Sequence, residues 1–287
     1  MEEQKQPQKK KKLSRILYWL LLVLLAAVFL YSGGALLNYY LDSRESQQTY
    51  DEIRDIKGDY TRPSYDPQAT VPSEAATAPT ESPYTTVTDP ESGEPVEVLK
   101  EFAQLYTENP DIVGWLTIPD TNVDYPVVHR PEAPDWYLHR DFYGKYDSHG
   151  CLYLEEAADP FRPSDNLTVY GHRMKDGTML GHLAKYESKD FWQTHQYFYF
   201  DTLRERHTYQ IVYVFVTTAS VGQGFEYHNF FDFMNQAEFD RFISGCASHA
   251  IYQTGVTTQF GDQFVTLSTC EYTHENGRLV LVAKRID

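Results

Sequence analysis

Cysteine is scarce in this chain, with three residues (Cys151, Cys246 and Cys270) in 287. So small and odd a set builds no disulfide framework and leaves at least one thiol free. Basic residues are also few, 25 Lys and Arg against 41 Asp and Glu for a formal charge of −16, which argues against nucleic acid as a partner. The chain lacks a glycine-rich phosphate loop, a zinc-ligand spacing, a calcium loop and any internal repeat, so neither a cofactor nor a metal is expected. The most informative absence is local: from Ile16 to Leu41 not one residue is charged.

That uncharged run follows a basic start. Lys5, Lys9, Lys10, Lys11, Lys12 and Arg15 stand against Glu2 and Glu3. A span needs roughly 20 apolar residues, and the apolar part of a signal peptide is typically about 7–15. The run is too long for the latter, although Ser32-Gly33-Gly34-Ala35 offers a site for cleavage. The expectation is a basic cytoplasmic tail at 1–15 and a single-pass anchor in the cell membrane at 16–41, with the rest of the chain extracellular. Residues 42–95 begin polar and become rich in Pro, Ser, Thr and Glu, a composition that cannot bury a core and reads as an extracellular linker. The folded domain is expected over 96–287, opening with a helix on which Val98, Leu99, Phe102, Leu105 and Tyr106 recur at helical spacing.

Beyond Asn109 the pattern is β. Short apolar or alternating runs at 112–118, 123–128, 150–154, 167–170, 207–216, 263–267 and 279–283 read as strands. Helices are expected near 134–140, 179–185, 189–194 and 237–248. Many short strands with few helices describe a mostly β chain and a closed β-barrel, which about 190 residues suffice to build.

Three titratable residues fall at strand ends. Cys270 ends the run that begins at Gln263, Arg278 opens the next run after an Asn276-Gly277 turn signal, and His172 follows the strand 166–170. A thiol with a free pKa of about 8.5 needs a cation or base beside it to act as a nucleophile, and His172 supplies either. Arg278 stays charged and suits an oxyanion. Together the three describe acyl transfer through a thioester. Cys246, in a helix-like stretch, and Cys151, opening a strand, read as small buried hydrophobes. His182 and His274 read as loop histidines, and the aromatics of 191–233 as packing.

At these residues the chain resembles the sortases, and most closely their class B. Thr266-Leu267-Ser268-Thr269-Cys270 with Arg278, and Tyr170-Gly171-His172-Arg173-Met174-Lys175-Asp176-Gly177-Thr178, are similar to the active-site signatures of that family. Asn109-Pro110-Asp111-Ile112-Val113-Gly114-Trp115, Val123-Asp124-Tyr125-Pro126-Val127-Val128 and Asp141-Phe142-Tyr143-Gly144 support the match. Arg173, where the family often has Asn, and the short loop from Cys270 to Arg278 depart from it.

The resemblance implies a sortase-like barrel with an N-terminal helix and a few peripheral helices. It also implies a membrane-anchored transpeptidase with Cys270 as nucleophile, His172 as proton carrier and Arg278 as oxyanion holder. Its partners would be the sorting-motif peptide of secreted surface proteins and, as acceptor, a peptidoglycan-precursor amine or a pilin lysine. Asp124 and Val128 match a stretch that lines the substrate groove in class B enzymes. Ser268 and Glu271 flank the nucleophile and are candidates for the same groove, or else a strand residue and a turn charge. Two other readings stay open: another exported cysteine peptidase or acyltransferase acting on the wall, and a membrane-tethered binding barrel in which Cys270 is a core thiol.

Overall fold

A computed structural model describes residues 8–58, 65, 82–90, 92–161, 164–220 and 222–287. The chain divides into two compact units, Met1–Gln48 and Thr49–Asp287. The first is the greater part of one helix, α1 (Gln8–Lys57). Its apolar run is solvent-exposed, and the helix is long and apolar enough to cross a membrane, with a mean hydropathy of 2.5 over its most apolar window. Of the expected cytoplasmic tail, residues 1–7 lie outside the described residues.

The second unit begins earlier than residue 96. The last turns of α1 belong to it, because Tyr50 and Ile53, three apart on one helical face, are both buried. Strand β1 (Tyr84–Thr88), rich in β-branched residues, pairs antiparallel with β2 (Pro95–Leu99). The expected linker at 42–95 is therefore structured at both ends, while most of 59–81 lies outside the described residues. The helix expected from Val96 is displaced as well: the chain makes β2, a 3-10 turn at Lys100–Phe102 and then the short α2 (Ala103–Glu108). Pairing with β1 outweighs the helical spacing of the first two apolar residues.

Eight strands close a barrel: β3 (Ile112–Thr117), β4 (Asp124–Val128), β5 (Leu152–Leu154), β6 (Asn166–Tyr170), β7 (Tyr197–Thr202), β8 (Arg206–Thr218), β9 (Phe264–Glu271) and β10 (Gly277–Arg285). Their order around the barrel is β10-β8-β7-β3-β4-β5-β6-β9, with β4–β5 and β6–β9 parallel and the rest antiparallel. Seven of these strands match the sequence runs. The eighth, β7, has aromatic residues on both faces and so lacks the period-2 signal.

Alternation along the strands makes two cores. Leu167, Val169, Val265, Leu267, Leu279 and Leu281 point into the barrel. Phe215, Phe264, Val280 and Val282 point outward against Phe239, Phe242 and Cys246 of α4 (Gln236–His249). Burying each such large side chain is worth about 1.5–3 kcal/mol. The Asn235 side chain caps α4 by accepting the Glu238 N–H at 3.1 Å. The other helical pieces among the described residues are 3-10 turns at Trp136–His139, Gly181–Glu187 and Tyr227–Asn229 and the short α3 (Lys189–Thr194).

Candidate active site

The outer face of β6, β9 and β10 carries the chemistry. Because registered partners share a face, Cys270 lies directly opposite Arg278, and Ser268 opposite Val280. On the other side β6 runs parallel to β9 with Tyr170 beside Ser268. The ladder continues past Tyr170: the Gly171 N–H donates to the Ser268 carbonyl at 3.3 Å, and Thr269 Oγ1 donates to the Gly171 carbonyl at 2.8 Å. His172 comes two residues beyond the end of β6, on the side of β9 that leads to Cys270. Cys270 and Arg278 thus face each other across β9 and β10, and His172 follows the end of the neighbouring β6. A Cβ at Gly171 would fall 2.3 Å from Leu152 Cδ2 and 2.8 Å from Leu180 Cγ, so glycine there leaves room for those two buried side chains.

His172 is half-buried and firmly oriented. Its Nε2 lies 2.7 Å from the carbonyl of Leu138, and a carbonyl only accepts, so Nε2 carries the hydrogen and Nδ1 is the atom free to exchange a proton. The ring stacks on His139 with centroids 5.5 Å apart. Burial lowers the imidazole pKa below its ordinary value, with the Leu138 hydrogen bond opposing it and His139 and His149 adding to it. The loop that follows is tied back by the Leu180 N–H donating to the His172 carbonyl at 3.0 Å.

Arg278 is anchored by Nη1, which donates to the carbonyl of Gly277 at 3.0 Å; Nε and Nη2 make no protein hydrogen bond among the described residues and remain available to an oxyanion. The three thiols differ. Cys270 is half-exposed whereas Cys151 and Cys246 are buried. Burial pushes the Cys151 thiol up to about 12 and drives that of Cys246 well above its ordinary value, so neither is a nucleophile near neutral pH.

Next to Cys270 and Arg278 lies a row of Val128, Tyr153, Tyr170, Ser268 and Val280 in register. Ser268 Oγ is 2.6 Å from the Tyr227 hydroxyl, and the Tyr170 hydroxyl donates to Glu155 at 2.5 Å. Val128 and Ser268 thus lie in the row next to Cys270 and Arg278, both buried, and Tyr153, Tyr170, Tyr227 and Glu155 adjoin them. Tyr227 comes from the aromatic-rich stretch that the sequence presents as packing, with no local motif to mark it.

Two other candidates are set apart. Asp124 stands at the opposite end of β4 from Val128, its carboxylate accepting from Trp115 Nε1 at 2.7 Å and Thr117 Oγ1 at 2.9 Å. Glu271 alternates to the other face from Cys270 and organises the β9–β10 turn, accepting from the Thr273 N–H at 2.8 Å and lying 2.9 Å from His274 Nδ1. Burial would raise its carboxyl, but the hydrogen bonds from His274 and Thr273 prevail and hold it at about 2. His182 Nδ1 accepts the Asn122 N–H at 3.0 Å. Among the described residues no group of three or more His, Cys, Asp or Glu could hold a metal.

Comparisons with known proteins identify relatives of this chain. The Sortase domain family model matches residues 116–286. Sortase B of Listeria monocytogenes is 31% identical over 192 residues, 66% of this chain and 76% of the relative. Sortase B of Staphylococcus aureus is 28% identical over 193 residues, again 66% and 76%. Among solved structures, sortase B from Bacillus anthracis in complex with AAEK1 superposes with a TM-score of 0.66 at 29% identity, covering 86% of this chain and 99% of that one. The Staphylococcus aureus sortase B–substrate complex gives 0.60 at 28%, covering 66% and 86%.

Proposed function

The chain belongs to the sortase family, in its class B, and from that premise we propose that His172, Cys270 and Arg278 are its catalytic residues. It is a cysteine transpeptidase that takes sorting-motif peptides and passes the acyl group to an amine. The observation that carries the residue assignment is the half-exposed Cys270 directly opposite Arg278, with His172 two residues beyond the end of the adjoining β6.

In the proposed cycle the Cys270 thiolate attacks the carbonyl carbon of the motif's Thr. The oxyanion that forms meets the Nε and Nη2 donors of Arg278. The C–N bond then breaks as His172, protonated at Nδ1, gives that proton to the departing amine, leaving a thioester on Sγ and a neutral imidazole. An acceptor amine attacks the thioester, its proton passes to Nδ1, and the thiolate leaves. The Leu138 carbonyl keeps the other ring nitrogen protonated throughout, so one tautomer serves both half-reactions. Val128, Ser268 and Tyr227, all buried, form the layer beneath the site and support its floor.

The acceptor is assigned to a peptidoglycan-precursor amine, with a pilin lysine as the alternative. Sortases are membrane-associated, and we assign residues 16–41 as a single span with the basic N-terminus cytoplasmic and the catalytic unit outside; the basic flank supports that orientation.

The test uses the full chain in detergent with quenched peptides bearing Asn-Pro-Gln-Thr-type and Leu-Pro-x-Thr-type motifs. Cleavage after Thr that disappears in Cys270→Ala is expected. Cleavage that survives Cys270→Ala would sink the assignment. Adding a glycine peptide or a lysine peptide and weighing the products identifies the acceptor class.

A further inference from the structure

The carbonyl that orients His172 is itself held from a distance. Leu138 lies in a 3-10 turn packed on the backbone of Gly150, where the chain adopts φ +61 and a Cβ would come within 2.5 Å of the Leu138 oxygen. Only glycine tolerates both that dihedral and that approach. The Cys151 N–H donates to the Tyr137 carbonyl at 3.0 Å, closing the same contact. The Gly150 carbonyl in turn accepts the hydroxyl of Tyr50 at 2.6 Å, a bond spanning a hundred residues and fully buried.

Tyr50 also reaches His172 by a second path. Its ring meets Tyr125 edge to face, centroids 5.1 Å apart. The Tyr125 hydroxyl accepts the N–H of Met179 at 3.1 Å. Met179 is bridged to Arg173, and its neighbour Leu180 donates to the His172 carbonyl. One path ends on the imidazole and the other on the backbone of the same residue. Arg54 supports the second, donating to the Asp124 carbonyl at 3.1 Å and lying 5.6 Å over the Tyr125 ring.

We propose that Tyr50, at the end of α1, is a positioning residue for the transpeptidation: through Gly150–Leu138 and Tyr125–Met179 it fixes the imidazole of His172 against Cys270. This rests on the assignment of His172 as proton carrier. Loosening the clamp leaves the thiol and the substrate groove in place but lets water reach the imidazole. The groups facing that ring are His139 and His149 from the neighbouring turns, Asp147 and the Leu138 carbonyl; Tyr50→Phe adds or removes no charge among them and acts through where the Leu138 carbonyl stands.

The experiment compares wild type, Tyr50→Phe, Arg54→Ala and His172→Ala as full-length protein in detergent, measuring kcat and KM across pH with one cleaved peptide. Tyr50→Phe keeps the ring and removes only the hydroxyl. Its kcat is expected to fall about fivefold with KM unchanged within about twofold, and the limb of the pH profile that reports His172 is expected to move up as burial relaxes. Arg54→Ala, at a partly exposed helix residue, is expected to give a smaller shift in the same direction and keeps the test open if Tyr50→Phe folds poorly. An unchanged kcat, or a loss equal at every pH, overturns the proposal. If His172→Ala retains wild-type activity, the catalytic assignment fails first and this inference with it.

Discussion

The outer face of β9 and β10 has two ends with opposite fates. At one, Phe264, Val280 and Val282 are sealed beneath α4 with Phe239 and Phe242. At the other, on the same strands and the same side of the sheet, Cys270 and Arg278 are only partly covered. The backbone is alike at both ends, a regular antiparallel ladder, so what separates core from site is side-chain chemistry and the reach of one helix. Past the Ser268–Val280 pair the outward residues turn to Cys270 and Arg278. A rigid, fully bonded ladder then holds the reactive groups to within the play of single rotamers, the placement that catalysis by orientation requires.

Breaking the covered end carries the largest expected energetic effect. Phe242→Ala, at a fully buried position, is expected to destabilise the domain by about 3–5 kcal/mol in chemical unfolding, while the protein that remains folded keeps its kcat. At the open end, Arg278→Lys keeps the charge but loses the planar fork, and kcat is expected to drop roughly 10²-fold with little change in melting temperature. At the border, Tyr227→Phe leaves the buried Ser268 hydroxyl without its 2.6 Å partner. A cost of about 1 kcal/mol, divided between stability and KM for the peptide, is the expected result.

The smallest effect lies in the turn joining the strands and depends on pH. Glu271 has its carboxyl depressed from 4.5 to about 2 in the folded protein, so its stabilising contribution is present above the unfolded value and is lost as pH falls through the folded one. The difference in melting temperature between wild type and Glu271→Gln should therefore be full above about 4.5 and close toward about 2. A difference independent of pH would mean that the turn is held by something other than that charge.

The same contrast explains what the sequence discloses. Cys270 and Arg278 stand out because each adjoins a short apolar strand, and His172 because it follows one in Tyr170-Gly171-His172. Seven strands are visible from alternation or apolar runs, and α4 from its helical period. What escapes is set by distant contacts. Strand β7, Tyr197–Thr202, is aromatic on both faces and shows no period. Tyr227 approaches Ser268 only after the chain has folded across 41 positions. Tyr50, in a polar stretch that reads as the start of a linker, is buried against Gly150. Cys270 also lies within the ladder instead of beyond its end, because the β9–β10 pairing continues to Glu271 and Gly277 past the point where apolar residues cease.

The account stands most directly on the covalent intermediate. Full-length protein incubated with a cleavable motif peptide and no added amine, then quenched in acid and weighed intact, should gain the mass of the peptide fragment ending at Thr. The adduct should map to Cys270, be released by hydroxylamine, and be absent from Cys270→Ala. An adduct on Cys151 or Cys246, or cleavage with no adduct and no dependence on Cys270, would contradict His172, Cys270 and Arg278 as the catalytic centre.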